Sequence, residues 1–187
     1  GKQDSYAAAF GGLNLIRFLP DETVQVEPVV MSSESRRCLS ENLLLLFLGK
    51  TRPAGDILRD QQQCVQQDDR RFRMLVRMTD LATQLQRSLT CGQVDVMGPI
   101  LDENWQLKRQ LSSRITDSGI DAQYECAKHH GASGGKVLGA GGGGFLLLYC
   151  RKERQENVLA ALKCLRHVPF SFEFLGTHIV FYDGNGR

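Results

Sequence analysis

Residues 134–149 read Gly134-Gly135-Lys136-Val137-Leu138-Gly139-Ala140-Gly141-Gly142-Gly143-Gly144-Phe145-Leu146-Leu147-Leu148-Tyr149. A strand-like segment enters a loop with glycine at five of the six positions 139–144, and an apolar strand follows. Glycine has no Cβ, so it adopts positive φ at little cost and lets another group approach the backbone closely. Successive exposed N–H groups in such a loop form a concave site for an anion, often a phosphate. We predict a loop that faces a ligand or phosphate; a tight hairpin that only needs flexibility is the alternative.

Two common phosphate-binding motifs do not account for this loop. Gly-x-x-x-x-Gly-Lys-Ser/Thr is absent, because Gly49-Lys50-Thr51 follows Leu44 where that motif needs a glycine. Gly-x-Gly-x-x-Gly can be read from residues 139–144, but a strand follows it, whereas a dinucleotide-binding turn must open a helix.

The composition excludes several classes of protein. The net charge is only +2, which gives no sign of a nucleic-acid partner or an acidic membrane surface. No apolar run approaches the roughly 18 residues of a membrane span. The six cysteines are scattered without a Cys-x-x-Cys pair, which is typical of reduced thiols. We therefore expect a cytoplasmic protein that has no Cys/His metal site.

The order of predicted elements is that of an α+β plait in which helices back a mixed or antiparallel sheet. Alternation predicts a hairpin of residues 13–19 and 23–30, after a tight turn at residues 7–12. Apolar runs and periodicity predict further elements in order. These are a loop or short helix at 32–41, a buried strand at 43–48, helices starting near Pro53 and spanning 68–89, 94–111 and 117–128, strands around the glycine loop at 136–150, a helix at 153–165, and strands at 170–175 and 177–182.

Three further segments carry candidate site residues. Asp4 lies in a polar cluster that precedes small residues, although a lone aspartate in a loop is more often a cap or solvated. Lys50 and Arg52 follow the end of the predicted buried strand, where loops often carry binding groups, and they could hold an anion or form a solvated turn. Trp105 precedes Lys108 in a helix, and either a core position or a place in a pocket wall fits it.

These segments together resemble the GHMP kinases (galactose, homoserine, mevalonate and phosphomevalonate kinases). Residues 132–145 look like the third motif of that family, and residues 1–12 look like the segment with the catalytic aspartate in its sugar-kinase branch. Residues 48–52 and 104–108 resemble the bacterial heptose kinases, although fucose-type kinases share much of this pattern. The resemblance runs along essentially the whole chain.

The resemblance implies a fold and a domain organisation. It implies a ferredoxin-like plait, the C-terminal domain of these kinases, over residues 32–187. Residues 1–31 would be the end of the N-terminal kinase domain, with a β-hairpin remnant and the catalytic aspartate. The family's Pro-x-x-x-Gly-Leu-Gly-Ser-Ser loop for the ATP phosphates is not in this sequence, which also lacks an initial methionine. We expect the C-terminal half of a longer enzyme, inactive by itself.

The resemblance also implies a reaction, namely transfer of phosphate from ATP, with Mg²⁺, to the anomeric hydroxyl of D-glycero-D-manno-heptose 7-phosphate. Such heptose kinases supply precursors of capsule, lipopolysaccharide or surface layers. Asp4 would be the catalytic base. The substrate and its phosphates would be held by residues of the loops and one helix, with no metal ligand in this chain: Gly139, Ala140, Gly141, Gly142, Gly143, Gly144, Arg52, Lys50 and Lys108.

Other functions stay open beside this one. A fucokinase, another small-molecule kinase of the family such as one of the mevalonate branch, or a non-catalytic ligand-binding or regulatory domain could share the fold. Asp4 beside an intact glycine motif argues against the non-catalytic alternative. The expected partners are a sugar phosphate and the missing N-terminal half, with a homodimer left open and neither nucleic acid nor membrane expected.

Overall fold

In the computed structural model, residues 2–178 and 180 are described, and they divide into two units. The first unit contains residues 2–30, 171–178 and 180, and the second contains residues 31–170. The proposed domain boundary at residues 31/32 stays a prediction.

The first unit begins with a helix where we predicted a tight turn. Helix α1 spans Lys2–Phe10, so the prediction for residues 7–10 is wrong. Three consecutive alanines, the strongest helix formers, explain the difference. The helix ends at Gly11, whose φ is +62° and whose N–H donates to the carbonyl of Ala7 at 3.0 Å.

The hairpin predicted after this helix is confirmed. Strand β1 (Asn14–Phe18) pairs antiparallel with β2 (Val24–Pro28). In the turn, the carboxylate of Asp21 accepts a hydrogen bond from the Thr23 amide at 3.0 Å. An aspartate that bonds the backbone two residues further on stabilises such turns.

The predicted strand at residues 170–175 is wrong. None of the described residues from 170 onward lies in a helix or strand, and the short strand β6 lies earlier, at Arg166–His167. The carbonyl of Glu173 accepts a hydrogen bond from Gly12, and the amide of Thr177 donates to Ala9 at 3.0 Å. The backbone therefore bonds to the α1–β1 turn instead of a strand ladder. Part of the predicted strand at 177–182 lies outside the described residues.

The second unit alternates helices and strands in an order close to the predicted one. Helix α2 (Ser33–Glu41) confirms the helical alternative for residues 32–41, and helix α7 (Lys152–Ala161) ends four residues before its predicted end. Its elements are α2 (Ser33–Glu41), β3 (Leu43–Phe47), α3 (Ala54–Gln66), α4 (Asp69–Thr90), a 3₁₀ turn (Val94–Val96), α5 (Met97–Lys108), α6 (Ser118–His129), β4 (Gly134–Val137), β5 (Phe145–Tyr149), α7 (Lys152–Ala161) and β6.

The strands of this unit form one antiparallel sheet in the order β4-β5-β3-β6. Side chains alternate between the two faces of a sheet, and the register places Leu44 opposite Leu148 and Leu46 opposite Leu146 on one buried face. Residues of α5, α6 and α7 join them in a core that includes Trp105, which confirms its core alternative. The α+β architecture predicted from the order of elements is confirmed.

Helix α5 runs directly against the edge strand β4. A Cβ built on Gly134 would lie 1.9 Å from the carbonyl oxygen of Gly98, so the two backbones leave no room for a side chain at that position. This close approach fixes the start of β4 relative to the first turn of α5.

Candidate functional site

The glycine loop between β4 and β5 has a backbone that requires glycine. All five of its glycines have positive φ, between +65° at Gly139 and +155° at Gly143. The Leu138 amide donates to the carbonyl of Phe145 at 2.9 Å and closes the hairpin below the loop. Residues with a Cβ rarely adopt these conformations, so the sequence here is set by backbone geometry.

Three of the glycines are also buried against neighbouring loops. A Cβ on Gly141 would lie 2.8 Å from the carbonyl oxygen of Ile115, and one on Gly142 would lie 2.8 Å from Cδ1 of Ile57. A Cβ on Gly143 would lie 2.6 Å from the carbonyl oxygen of Lys50. The loop is therefore packed against residues 50 and 115, and it is not the merely flexible hairpin of the alternative reading.

The amide groups of the loop fall into two sets. Gly142 donates to the carbonyl of Ile115 at 2.7 Å, and Gly144 donates to that of Lys50 at 2.8 Å. Within the described residues, the amides at positions 139, 140, 141 and 143 make no hydrogen bond to protein. Two amides thus hold the loop in place, and those of the exposed Gly139 and the half-buried Ala140 remain available to an anion, as in a backbone anion site.

Lys50 and Arg52 share one carboxylate. The Nζ of Lys50 lies 2.5 Å from Oδ2 of Asp117, and Nη2 of Arg52 lies 3.5 Å from the same oxygen. Oδ1 of Asp117 accepts hydrogen bonds from the amides of Gly119 and Ile120, both at 3.1 Å, and so caps α6. These bonds, that of Lys50 above all, hold the pKa of Asp117 below its usual value. One negative charge faces two positive charges, so a net positive charge remains.

Lys108 reaches the glycine loop from the last turn of α5. Its Nζ donates a hydrogen bond to the carbonyl of Gly139, and only 7% of its surface is exposed. Burial, together with the positive charge of Lys136, lowers its pKa to about 7. Lys108 therefore lies against the loop, and its predicted role in binding the substrate stays a prediction.

Lys136 is a site residue that our sequence analysis did not single out. It lies on β4, and its Nζ donates to Oδ1 of Asn104 on α5 at 2.7 Å. Burial lowers the pKa of this lysine. A charged residue in a short strand otherwise made of glycine and valine was the available signal, but it does not reveal that Lys136 contacts α5 one turn before Lys108.

Asp4, the predicted catalytic base, lies in the first unit. It is exposed in the first turn of α1. Carboxylates are favourable at that end of a helix, which is an ordinary structural role, and its catalytic role stays a prediction.

No group of three or more His, Cys, Asp or Glu side chains that could hold a metal ion occurs among residues 2–178 and 180. The six cysteines are free thiols. Of the helices in the described part of the chain, none is long and apolar enough to cross a membrane.

Comparisons with known proteins agree with this geometry. Residues 81–166, which include the glycine loop, α5 and α6, match the family description "GHMP kinases C terminal". The chain is 28% identical over 163 residues to a D-glycero-alpha-D-manno-heptose 7-phosphate kinase of Campylobacter jejuni, covering 87% of this chain and 48% of that protein. It is 29% identical over 162 residues to a bifunctional fucokinase/GDP-fucose pyrophosphorylase of Arabidopsis thaliana, covering 85% of this chain and 15% of that protein.

A solved structure matches nearly the whole chain. The crystal structure of a D-glycero-D-manno-heptose 1-phosphate kinase from Bacteriodes thetaiotaomicron is 27% identical, with a TM-score of 0.68 over 98% of this chain and 50% of that protein. The chain thus spans half or less of the length of these sugar kinases. From the family match, the fold and the glycine loop together, we conclude that residues 81–166 match the C-terminal domain of the GHMP kinases and that the fold agrees with this match.

Proposed function

We propose that this chain is the C-terminal half of an ATP-dependent sugar kinase, whose acceptor is the anomeric hydroxyl of D-glycero-D-manno-heptose 7-phosphate. The observation that carries the proposal is the glycine loop, which has amides not bonded to protein and lysine and arginine side chains around it. The relatives support the class of reaction, since two carry heptose phosphate kinase in their names and one carries fucokinase.

The loop fits the charge that phosphoryl transfer places on oxygen atoms. Such transfer depends on positioning and electrostatic stabilisation more than on covalent chemistry. The amides of Gly139 and Ala140 can donate to phosphate oxygens without losing a protein partner among the described residues. Because Gly142 and Gly144 donate to fixed carbonyls, the loop does not have to rearrange before it binds.

The phosphate donor ATP and the metal ion Mg²⁺ require different groups of the protein. The free amides fit a phosphate of ATP, which when bound supplies the group to be transferred. The described part of the chain offers no cluster of carboxylates for Mg²⁺, so we assign no residue to that ion.

Asp4 has the chemistry of a general base. In the proposed reaction its carboxylate accepts the proton of the attacking sugar hydroxyl, which requires hydrogen-bond reach in the substrate complex. Arg52, Lys50 and Lys108 would hold the phosphate that the acceptor already carries. Lys50 and Arg52 are less available for this task because both contact Asp117.

The proposal is tested by sugar-dependent ADP release from the full-length protein, with ATP and Mg²⁺. Heptose 7-phosphate, fucose, galactose and mevalonate form the panel, and we expect turnover with the heptose phosphate. Turnover with fucose alone would instead assign the fucokinase alternative. A folded full-length protein that turns over none of the four would contradict the proposal.

The base assignment has its own test. Asp4→Asn should reduce kcat by about a hundredfold or more while heptose phosphate binding changes little. Asp21→Asn is the control, because Asp21 is an exposed aspartate of the same unit with a local partner in Thr23. Wild-type turnover in Asp4→Asn would remove Asp4 from the mechanism.

The phosphate contact of Arg52 is tested by KM. Arg52→Ala should raise KM for a phosphorylated sugar more than for an unphosphorylated one, because one guanidinium group can donate hydrogen bonds to two phosphate oxygens at once. Arg59→Ala is the control, because Arg59 is an exposed arginine on α3 that pairs with Asp56. An equal change of KM for both sugars would contradict a phosphate contact.

A further inference from the structure

Two lysines between α5 and β4, Lys108 and Lys136, have no carboxylate partner in the part of the chain that the structure describes. Lys108 contacts the carbonyl of Gly139, and Lys136 contacts the amide oxygen of Asn104. Both partners are neutral acceptors, and neither lysine forms an ion pair within the described residues. Asn104 lies one turn before Lys108 on α5, so Lys136, which extends from β4, contacts this helix one turn before the position that carries Lys108.

Other lysines of this unit are placed differently. Lys50 pairs with Asp117, Lys128 with Asp102 at 2.6 Å, and Lys152 with Glu41 at 3.5 Å. These three are more exposed than Lys108 and still have a carboxylate. The most buried lysine is thus one of those that lack a counter-charge.

Such an arrangement is unfavourable without an anion. A buried charge is costly unless it is paired, and two like charges in the same place raise that cost. The positive charge of Lys136 indeed acts on Lys108, whose pKa burial has already lowered. An anion that contacts both groups would remove the repulsion and restore the charged form of each lysine.

We propose that Lys108 and Lys136 together bind a phosphate monoester beside the glycine loop. An ammonium group has three N–H donors, and each lysine spends one of them on its neutral acceptor. Two donors on each side chain therefore remain, and two positive charges match a phosphate dianion. The neighbouring amides of Gly139 and Ala140 have no protein partner among the described residues and can add hydrogen bonds to the same group.

This proposal rests on the proposed function for the identity of the ligand, and it makes that function more specific. The phosphate could be the one that a heptose 7-phosphate acceptor already carries, or a phosphate of ATP. Both have the same chemistry, so binding assays with each ligand separately must distinguish them. Lys136, which no sequence pattern assigned, becomes as important as Lys108.

The test is calorimetric titration of the full-length protein, without turnover, with inorganic phosphate, heptose 7-phosphate and metal-free ATP. Lys136→Met and Lys108→Met each remove one charge and keep the length of the side chain. Each should weaken binding of inorganic phosphate and of one of the two substrates by about tenfold or more. Loss with heptose 7-phosphate assigns the site to the acceptor, and loss with ATP assigns it to the donor.

Controls separate binding from folding and from turnover. Lys152→Met should bind like wild type, because Lys152 is an exposed lysine that pairs with Glu41. If Lys108→Met does not fold, as judged by circular dichroism, Lys136→Met and the charge-retaining Lys108→Arg decide, and only the latter should bind phosphate. Wild-type affinity in folded Lys136→Met, or no phosphate binding by wild type, would overturn the proposal. Because no turnover is needed, a protein that binds phosphate but phosphorylates no sugar would contradict only the proposed function.

Discussion

The carbonyl oxygen of Lys50 accepts a hydrogen bond from the amide of Gly144 at 2.8 Å. The same oxygen would lie 2.6 Å from a Cβ on Gly143. One backbone carbonyl thus holds the end of the glycine loop and excludes a side chain from the position before it. The glycine loop is therefore held directly against the segment that carries Lys50 and Arg52.

We expect Gly143→Ala to lower the free energy of unfolding by about 3 kcal/mol, because the new Cβ meets backbone and the φ of +155° is strained for alanine. Gly144→Ala is the matched control, since its φ of +84° is also positive but no atom lies within 4 Å of the added Cβ. Its cost should be about 1 kcal/mol. Urea unfolding measures both, and equal losses would show that packing against Lys50 is unimportant.

The ion pairs of Asp117 should contribute to stability independently of its helix cap. Asp117→Asn retains a good capping side chain and removes the charge, so we expect a loss of about 1 kcal/mol at pH 7. Asp117→Ala removes the cap as well and should cost about 1 kcal/mol more. Asparagine and alanine variants of equal stability would show that the cap adds nothing.

The pH dependence of the Asp117 contribution follows from the lowered pKa of its carboxyl group. A lowered folded-state pKa stabilises the fold above the ordinary value of about 4, and this contribution is lost as pH falls through the folded-state pKa. The difference between wild type and Asp117→Asn should therefore shrink as the pH is lowered from 7 to 3. A difference that is constant over this range, in urea unfolding at both pH values, would contradict the ion pair.

Lys108 should also make stability rise with pH, but in a higher pH range, because burial lowers its pKa to about 7 and its charged form destabilises the fold. Between about pH 7 and pH 10 the unfolded chain holds a proton on this lysine that the folded protein has released, so stability should rise with pH by up to about 1 kcal/mol per unit. Lys108→Met should flatten this slope, whereas Lys152→Met should retain it. Saturating phosphate should flatten the wild-type slope as well, by keeping the ammonium charged. Identical slopes in wild type and Lys108→Met would contradict the prediction.

Some of the fold was predictable because its signals are local. The run Leu43–Phe47 is apolar at every position and forms β3, as predicted. Helix α4 was predicted from the 3–4 spacing of its apolar residues, and Asp68 caps it by accepting a hydrogen bond from Arg70 at 2.8 Å. Each of these signals lies within one element, so neighbouring residues suffice to interpret it.

The errors have non-local causes. Residues 170–175 are rich in phenylalanine, which favours strands, but their backbone has no partner strand, and Glu173 bonds to Gly12 instead. For α1 we gave the terminal glycines more weight than the alanines before them. The choice of backbone partner depends on segments far apart in the sequence, which local patterns do not reveal.

The conformation of the glycine loop could be predicted from the sequence, but the partners of the charged residues around it could not. The run of glycines indicates positive φ and close packing, and the structure has both. The pairing of Lys50 with Asp117 spans 67 residues, and that of Lys136 with Asn104 spans 32. Both depend on how strands and helices pack, so residue types alone could not separate paired lysines from unpaired ones.

Trp105 offers a test of the core that supports the site. Its side chain is fully buried and packs against Tyr124 with ring centroids 6.2 Å apart, yet its Nε1 has no hydrogen-bond partner in the described part of the chain. A buried donor without a partner costs about 1–3 kcal/mol. Trp105→Phe removes that cost while it leaves a smaller cavity than alanine would. We expect a loss of about 1 kcal/mol in urea unfolding, against about 4 kcal/mol for Trp105→Ala.

Tyr124→Phe is the contrasting variant, because the Tyr124 hydroxyl donates to Asp102 at 2.5 Å, and its removal takes away a satisfied bond. If Trp105→Phe costs as much as Trp105→Ala, the indole N–H has a partner in solution, such as a buried water, and contributes to the stability of the core.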